Sequence, residues 1–147
     1  MSDKNFEPKI VAFFCHYCAY AAADLAGSMR LQYPPNVRII RTPCTGRLEV
    51  EYYMRAFENG ADGVLVAGCL EGGCHFIDGN LFAKKRVNAT RNILEECGIE
   101  KERLRMVNNS AAGGTTLVNT INEMVDTIKK LGPNPIKLKK SKSNENV

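Results

Sequence analysis

No apolar stretch of the sequence approaches the roughly 18 residues that mark a membrane-spanning helix. The opening residues, Met1-Ser2-Asp3-Lys4-Asn5, lack the basic-then-apolar layout of a secretory signal. No Gly-x-Gly-x-x-Gly occurs, and the glycine-containing segment 110–116 has no P-loop lysine, so neither nucleotide fingerprint is present. Capping of the following helix is the expected role of that segment. Cys15-x-x-Cys18 is followed by Ala19 rather than histidine, which excludes covalent c-type haem attachment. There is no tryptophan and no internal repeat. The chain is therefore expected in the cytoplasm, away from membranes, where thiols stay reduced. Six cysteines in that setting point to metal or redox chemistry rather than a disulfide framework.

The net charge of +4 is no nucleic-acid footprint, because residues 136–147 hold four lysines against one glutamate and so carry +3 of it. A phosphate-binding face would gather charge on a folded surface. Nucleic acid is accordingly not an expected partner. A length of 147 residues fits one domain with an ordinary core. Residues 1–135 are expected to form it, with residues 1–8 loosely held and 136–147 a disordered basic tail.

What the sequence does hold is cysteine placed after short apolar runs. Gly63-Val64-Leu65-Val66 leads into Ala67-Gly68-Cys69-Leu70-Glu71-Gly72-Gly73-Cys74-His75. Val11-Ala12-Phe13-Phe14 leads into Cys15-His16-Tyr17-Cys18, and Val37-Arg38-Ile39-Ile40 runs towards Cys44. Such runs predict buried strands at residues 9–15, 37–42 and 63–67, with a fourth at 104–107. Helix-forming segments follow each: 19–33, 47–59, 81–96, and a last helix whose apolar stripe runs from Leu117 to Leu131 and stops at Gly132-Pro133. Alternation of strand and helix implies the α/β class: a single doubly wound, flavodoxin-like domain with a four-stranded parallel sheet in order 2-1-3-4. Ligands of such sheets sit beyond the carboxyl ends of the strands. Cys15, Cys18, Cys44, Cys69 and Cys74 would converge there as metal ligands, with Gly68, Gly72 and Gly73 letting the backbone approach a bulky group.

Three chemistries compete for these thiols. An iron–sulfur cluster is held by thiolates, usually four, and five are at hand. Zinc suits the Cys15-x-x-Cys18 spacing, with His16 or His75 as further ligands, yet a domain with its own core needs no zinc staple. Thiol–disulfide exchange also suits a Cys-x-x-Cys between strand and helix, but leaves Cys44, Cys69 and Cys74 without a role. Cys97, at helical spacing from Thr90 and Ile93, is expected to be a small buried residue, and Lys84-Lys85-Arg86 a solvated face.

The motifs resemble the iron–sulfur delta subunit of methyl-viologen-reducing (deazaflavin-non-reducing) nickel–iron hydrogenases. The resemblance covers residues 9–133. It rests on Cys15-x-x-Cys18 with Tyr20 and Ala23-Asp24-Leu25-Ala26-Gly27, on Tyr33-Pro34-Pro35-Asn36-Val37-Arg38, on Cys44-Thr45-Gly46-Arg47, and on the run from Phe57 to Cys69 continued to Cys74-His75. One departure is plain: the family's loop commonly reads Cys-His-Pro-Gly-x-Cys-His-Tyr, where this chain has Leu70, Glu71 and Phe76.

The resemblance implies a 2Fe–2S electron-relay subunit without an active site of its own. It would take electrons from hydrogenase small and large subunits and pass them to the flavin-bearing subunit of heterodisulfide reductase, where flavin-based bifurcation divides them in methanogenic metabolism. Formate dehydrogenase is the alternative donor, and a zinc-stabilised adaptor joining larger redox subunits is the alternative function. Of the ligands, Cys44, Cys69 and Cys74 are expected as members, and the fourth comes from Cys15 or Cys18.

Overall fold

The computed structural model describes residues 6–137 and residue 139. Its centre is made by the two least polar strands. β1 (Ile10–Cys15) and β3 (Gly63–Cys69) are buried along almost their whole length. β2 (Val37–Thr42) and β4 (Leu104–Asn109) carry arginines and lie at the two edges. All pairings are parallel and the order is β2-β1-β3-β4, as the sequence pattern implies. Parallel neighbours need long crossovers, which are supplied by α1 (Ala19–Ser28), α2 (Val50–Glu58) and α3 (Gly79–Glu96), and α4 (Gly114–Leu131) follows the last strand.

Side chains alternate across a strand, so adjacent residues serve different layers. Phe14 and Leu65 enter the core under α1 and α4, with Leu117, Ile121 and Ile128. Phe13 and Val66 enter the core under α2 and α3, with Tyr53, Phe57 and Leu94. Full burial of each such side chain is worth about 1.5–3 kcal/mol. The α4 stripe thus clamps its helix firmly to the sheet.

Several element ends differ from the sequence pattern. β3 continues past residue 67 to Cys69, because β4 runs on to Asn109 and pairs with it through Gly68↔Asn108 and Cys69↔Asn109. α1 stops at Ser28 rather than near residue 33, where Arg30 takes φ 56° and Leu31 N–H returns to the Ala26 carbonyl. The expected 47–59 helix is broken by extended Leu48 into a short 3-10 turn (Thr45–Arg47) and α2. α3 begins at Gly79, ahead of Leu81.

At the amino ends of the strands lies a polar knot. Asp62, fully buried, accepts from the Lys9 and Asn134 backbone N–H groups at 2.8 and 2.9 Å and pairs with Lys137 Nζ at 2.9 Å. Buried Arg103 reaches Glu100 at 2.7 Å and the carbonyls of Asp62 and Pro133 at 3.0 and 3.2 Å. Just past residue 135, Ile136 packs on the α2/α3 core and Lys137 joins this knot. Residues 138 and 140–147 of the expected tail lie outside the described residues, as do residues 1–5. Phe6 packs against the core beneath α1 and α4.

Candidate metal centre

At the opposite end of the sheet the strands deliver cysteine. β1 ends on Cys15 and β3 on Cys69, adjacent strands in register, and the turn after β1 brings Cys18 to the N-cap of α1. Cys18 Sγ donates to Cys69 Sγ at 3.0 Å, and Cys15 Sγ lies 3.6 Å from Cys69 Sγ. All three sulfurs are within 4.8 Å of one another, and all three residues are buried. Two thiolates on one tetrahedral metal stand about 3.8 Å apart, given metal–sulfur bonds of about 2.3 Å. The trio therefore has the spacing of ligands around a metal. Neither histidine belongs to it.

Cys44 and Cys74 form a second set beside the first. Cys44 follows β2 as N-cap of the 3-10 turn, where its sulfur accepts from Gly46 N–H at 3.3 Å. Cys74 is brought back by a tight turn in which it bridges Ile77, whose φ is 70°. Gly79 is where the two meet: a β-carbon there would stand 3.6 Å from Cys74 Sγ and well inside contact distance of Cys44 Sγ. Five thiols from three strand ends thus share one edge. Cys97 does not join them; it caps the far end of α3 and is exposed, not buried as its helical spacing suggests, because the chain leaves the helix at that residue.

The thiols shape one another's acidity. The hydrogen bond from Cys18 is the foremost influence on Cys15, which is drawn down to about 5 with help from the Tyr17 N–H. Cys18 is pushed far up by the same bond to Cys15 and by burial. Burial raises Cys69 and Cys44, and Cys44 also senses the Cys74 and Cys15 sulfurs. Among Cys15, Cys18, Cys44 and Cys69, negative charge is thus favoured on Cys15 and disfavoured on the other three. A bound cation would replace the thiol protons.

The three expected backbone-approach glycines are placed differently from one another. Gly68 is a strand residue whose missing side chain makes room for Thr45, since a β-carbon there would lie 3.1 Å from Thr45 Oγ1, on the face opposite Cys69. Gly72 has φ 80° at the exposed turn, and Gly73 closes that turn with an N–H bond to the Leu70 carbonyl at 2.9 Å. Two further glycines beside the sulfurs are Gly46, part of the Cys44-Thr45-Gly46-Arg47 motif, and Gly79, which the sequence pattern does not single out. They press together so closely that a β-carbon on Gly46 would lie 2.8 Å from Gly79 Cα.

Other supports also escape the sequence pattern. Buried Asn80 donates to the Cys69 and Leu70 carbonyls, both at 3.0 Å, and Asn108 donates to the Cys69 carbonyl at 2.7 Å. Arg86 is not simply solvated: it donates to the Gly46 carbonyl and pairs with Glu49 at 3.3 Å. Lys84 pairs with Glu71 at 2.9 Å. Over the edge, the exposed rings of Tyr17 and His75 stack 3.8 Å apart with Phe76 against both. The segment 110–116 supplies Gly113 as N-cap of α4, while Gly114 allows the close passage of that helix against α1. No helix among the described residues is long and apolar enough to cross a membrane.

The sequence profile of the family described as "Methyl-viologen-reducing hydrogenase, delta subunit" matches residues 10–132. The chain is 50% identical over 131 residues to the iron-sulfur subunit of the vhu F420-non-reducing hydrogenase of Methanococcus maripaludis, covering 89% of this chain and 98% of that one. It is 47% identical over 131 residues to the same-named protein of Methanocaldococcus jannaschii, with the same coverage. It is also 48% identical over 132 residues to one chain of the ferredoxin/F(420)H(2)-dependent CoB-CoM heterodisulfide reductase of Methanosarcina acetivorans. That match takes in 90% of this chain, which spans only 17% of the reductase chain's length.

Proposed function

The chain belongs to the methyl-viologen-reducing hydrogenase delta-subunit family, and we propose that it is the electron-relay subunit of a hydrogenase–heterodisulfide reductase assembly in the cytoplasm. The observation that carries this reading is the convergence of Cys15, Cys18, Cys44, Cys69 and Cys74 on one sheet edge. A set of four thiolates drawn from these five suits a 2Fe–2S cluster, which when bound stores and releases one electron. Structural zinc takes four ligands around one ion, yet only three of the sulfurs gather within 4.8 Å of one another, so the adaptor reading accounts less well for two adjoining sets.

The protein residues hold the site stiff and close to the surface. Cys15 and Cys69 are fixed by the central strands, and the Cys69 carbonyl is pinned by Asn80 and Asn108. Gly46 and Gly79 let Cys44 and Cys74 close over the edge, while Arg86 ties the Gly46 turn to α3. Cys15, Cys18, Cys44 and Cys69 are buried, and the exposed Tyr17–His75 stack stands next in sequence to Cys18 and Cys74. Such a frame changes little between charge states.

Relatives bear on the partners. Similar chains are named as hydrogenase subunits, and a similar segment lies within a much longer chain named as part of a heterodisulfide reductase. The reading therefore places hydrogenase small and large subunits on the donor side and the flavin-bearing reductase subunit on the acceptor side. Reconstitution tests it: hydrogenase and reductase subunits should couple hydrogen oxidation to disulfide reduction only when this chain is added. The chain alone should turn over neither substrate. Equal coupling without it would overturn the proposal.

A further inference from the structure

β2 is an edge strand, and the face it shares with β1 is only partly covered by α2. A groove of about 980 Å³ runs there, bounded by β2 on one side and α2 on the other. Its floor is apolar: Val11, Phe13 and Leu48 lie in it, and Ile40 and Tyr52 are 46% and 52% exposed along its rim. Lys9, Arg38, Arg41, Arg47 and Arg55 line it, and no aspartate or glutamate does. Arg55 is neutralised by Glu51 at 2.6 Å and Arg41 lies over the Tyr20 ring, but Arg38 and Arg47 have no ion-pair partner among the described residues.

Charge on an edge strand also deters strand-to-strand aggregation. That explanation covers Arg38 and Arg41. It does not explain why Arg47 and Lys9, from other elements, face the same apolar floor. Nor does the chain's own end fit: residues 139–147 contain three lysines and one glutamate, the same sign as the groove. A nucleic acid would satisfy the arginines but not the aliphatic floor.

We infer that this groove seats an acidic, aliphatic-bearing segment of a partner polypeptide, laid extended along β2. Side chains on one face of β2 recur every second residue, so Arg38 and Ile40 offer alternating charged and apolar seats. Pro43 and Arg47 also line a second cleft of about 440 Å³ that reaches Cys44, Phe82 and Arg86. A segment seated in the groove is thus led to the cysteine edge, and its owner is held beside Cys44.

The test is fluorescence anisotropy with the full chain and a labelled peptide alternating glutamate and leucine. Saturable binding is expected, weakening as salt rises. Arg38→Glu/Arg47→Glu should weaken it by about tenfold or more, Arg38→Lys/Arg47→Lys should preserve it, and Tyr52→Ser on the exposed α2 face should weaken it independently of charge. Thermal melts matching the wild type establish that the variants fold. Unchanged binding after charge reversal would overturn the inference. So would equal binding of a lysine–leucine peptide or of polyglutamate, or tighter binding of a single-stranded oligonucleotide. Binding that appears only after removal of residues 139–147 would assign the groove to the chain's own end instead.

Discussion

Gly79 and Cys44 are placed so that a β-carbon on the glycine would fall within the space of the cysteine sulfur. Gly79 is the first residue of α3 and does not need a positive φ, so alanine is acceptable to its backbone and favours the helix by up to about 1 kcal/mol. The overlap with Cys44 exists without metal, so Gly79→Ala is expected to cost the metal-free fold about 1–3 kcal/mol, partly offset by the helix preference, and to lose most of the iron. Thermal melts of the metal-free protein alongside iron assays check this. Full iron retention would show that Cys44 has room to move.

Five sulfurs share the edge, and a 2Fe–2S centre takes four. Among single Cys→Ala variants at residues 15, 18, 44, 69 and 74, four should lose the cluster and one should keep it with altered spectra. The member that is not needed is expected from the pair Cys15 and Cys18, which flank one turn and both contact the Cys69 sulfur. Cys97→Ala should have no effect, since that residue caps the far end of α3. Iron counts and the reduced-state spin signal, both taken anaerobically, read each outcome.

The polar knot around Asp62 lies at the other end of the strands from the thiols. Breaking a buried pair and leaving its groups unpaired costs about 3–5 kcal/mol, the loss expected for Asp62→Ala. Lys137→Ala leaves Asp62 with the Lys9 and Asn134 N–H bonds and should cost about 1–2 kcal/mol, a fall in Tm of about 2–8 °C. Truncation after Pro135 should resemble Lys137→Ala with a further loss from Ile136. All three variants should keep their iron. A drop in iron at unchanged Tm would mean that the two ends of the sheet are coupled.

The sheet was legible because its centre and edges differ in composition. Unbroken apolar runs mark β1 and β3, whereas arginines mark β2 and β4. The cysteines at three strand ends then place a site at one edge through topology alone. What the pattern hid depends on tertiary contact. β3 reaches Cys69 only because β4 pairs with it to Asn109. Gly46 and Gly79 are ordinary turn and helix-start glycines until the fold presses them together beneath Cys44. Cys97 keeps helical spacing from Thr90 and Ile93, but its exposure is decided by where α3 ends. Ile136 and Lys137 read as the start of a lysine-rich tail, and the buried carboxylate that recruits Lys137 is far away in sequence.

The central claim is that the five-cysteine edge holds an iron–sulfur cluster that carries single electrons. Its most direct measurement is anaerobic iron, zinc and acid-labile sulfide analysis of the purified chain, with electron paramagnetic resonance before and after dithionite. The account predicts a reddish-brown protein with about two irons and two sulfides per chain, silent when oxidised and giving a one-electron signal when reduced. A colourless protein with stoichiometric zinc, no labile sulfide and no signal on reduction would contradict it.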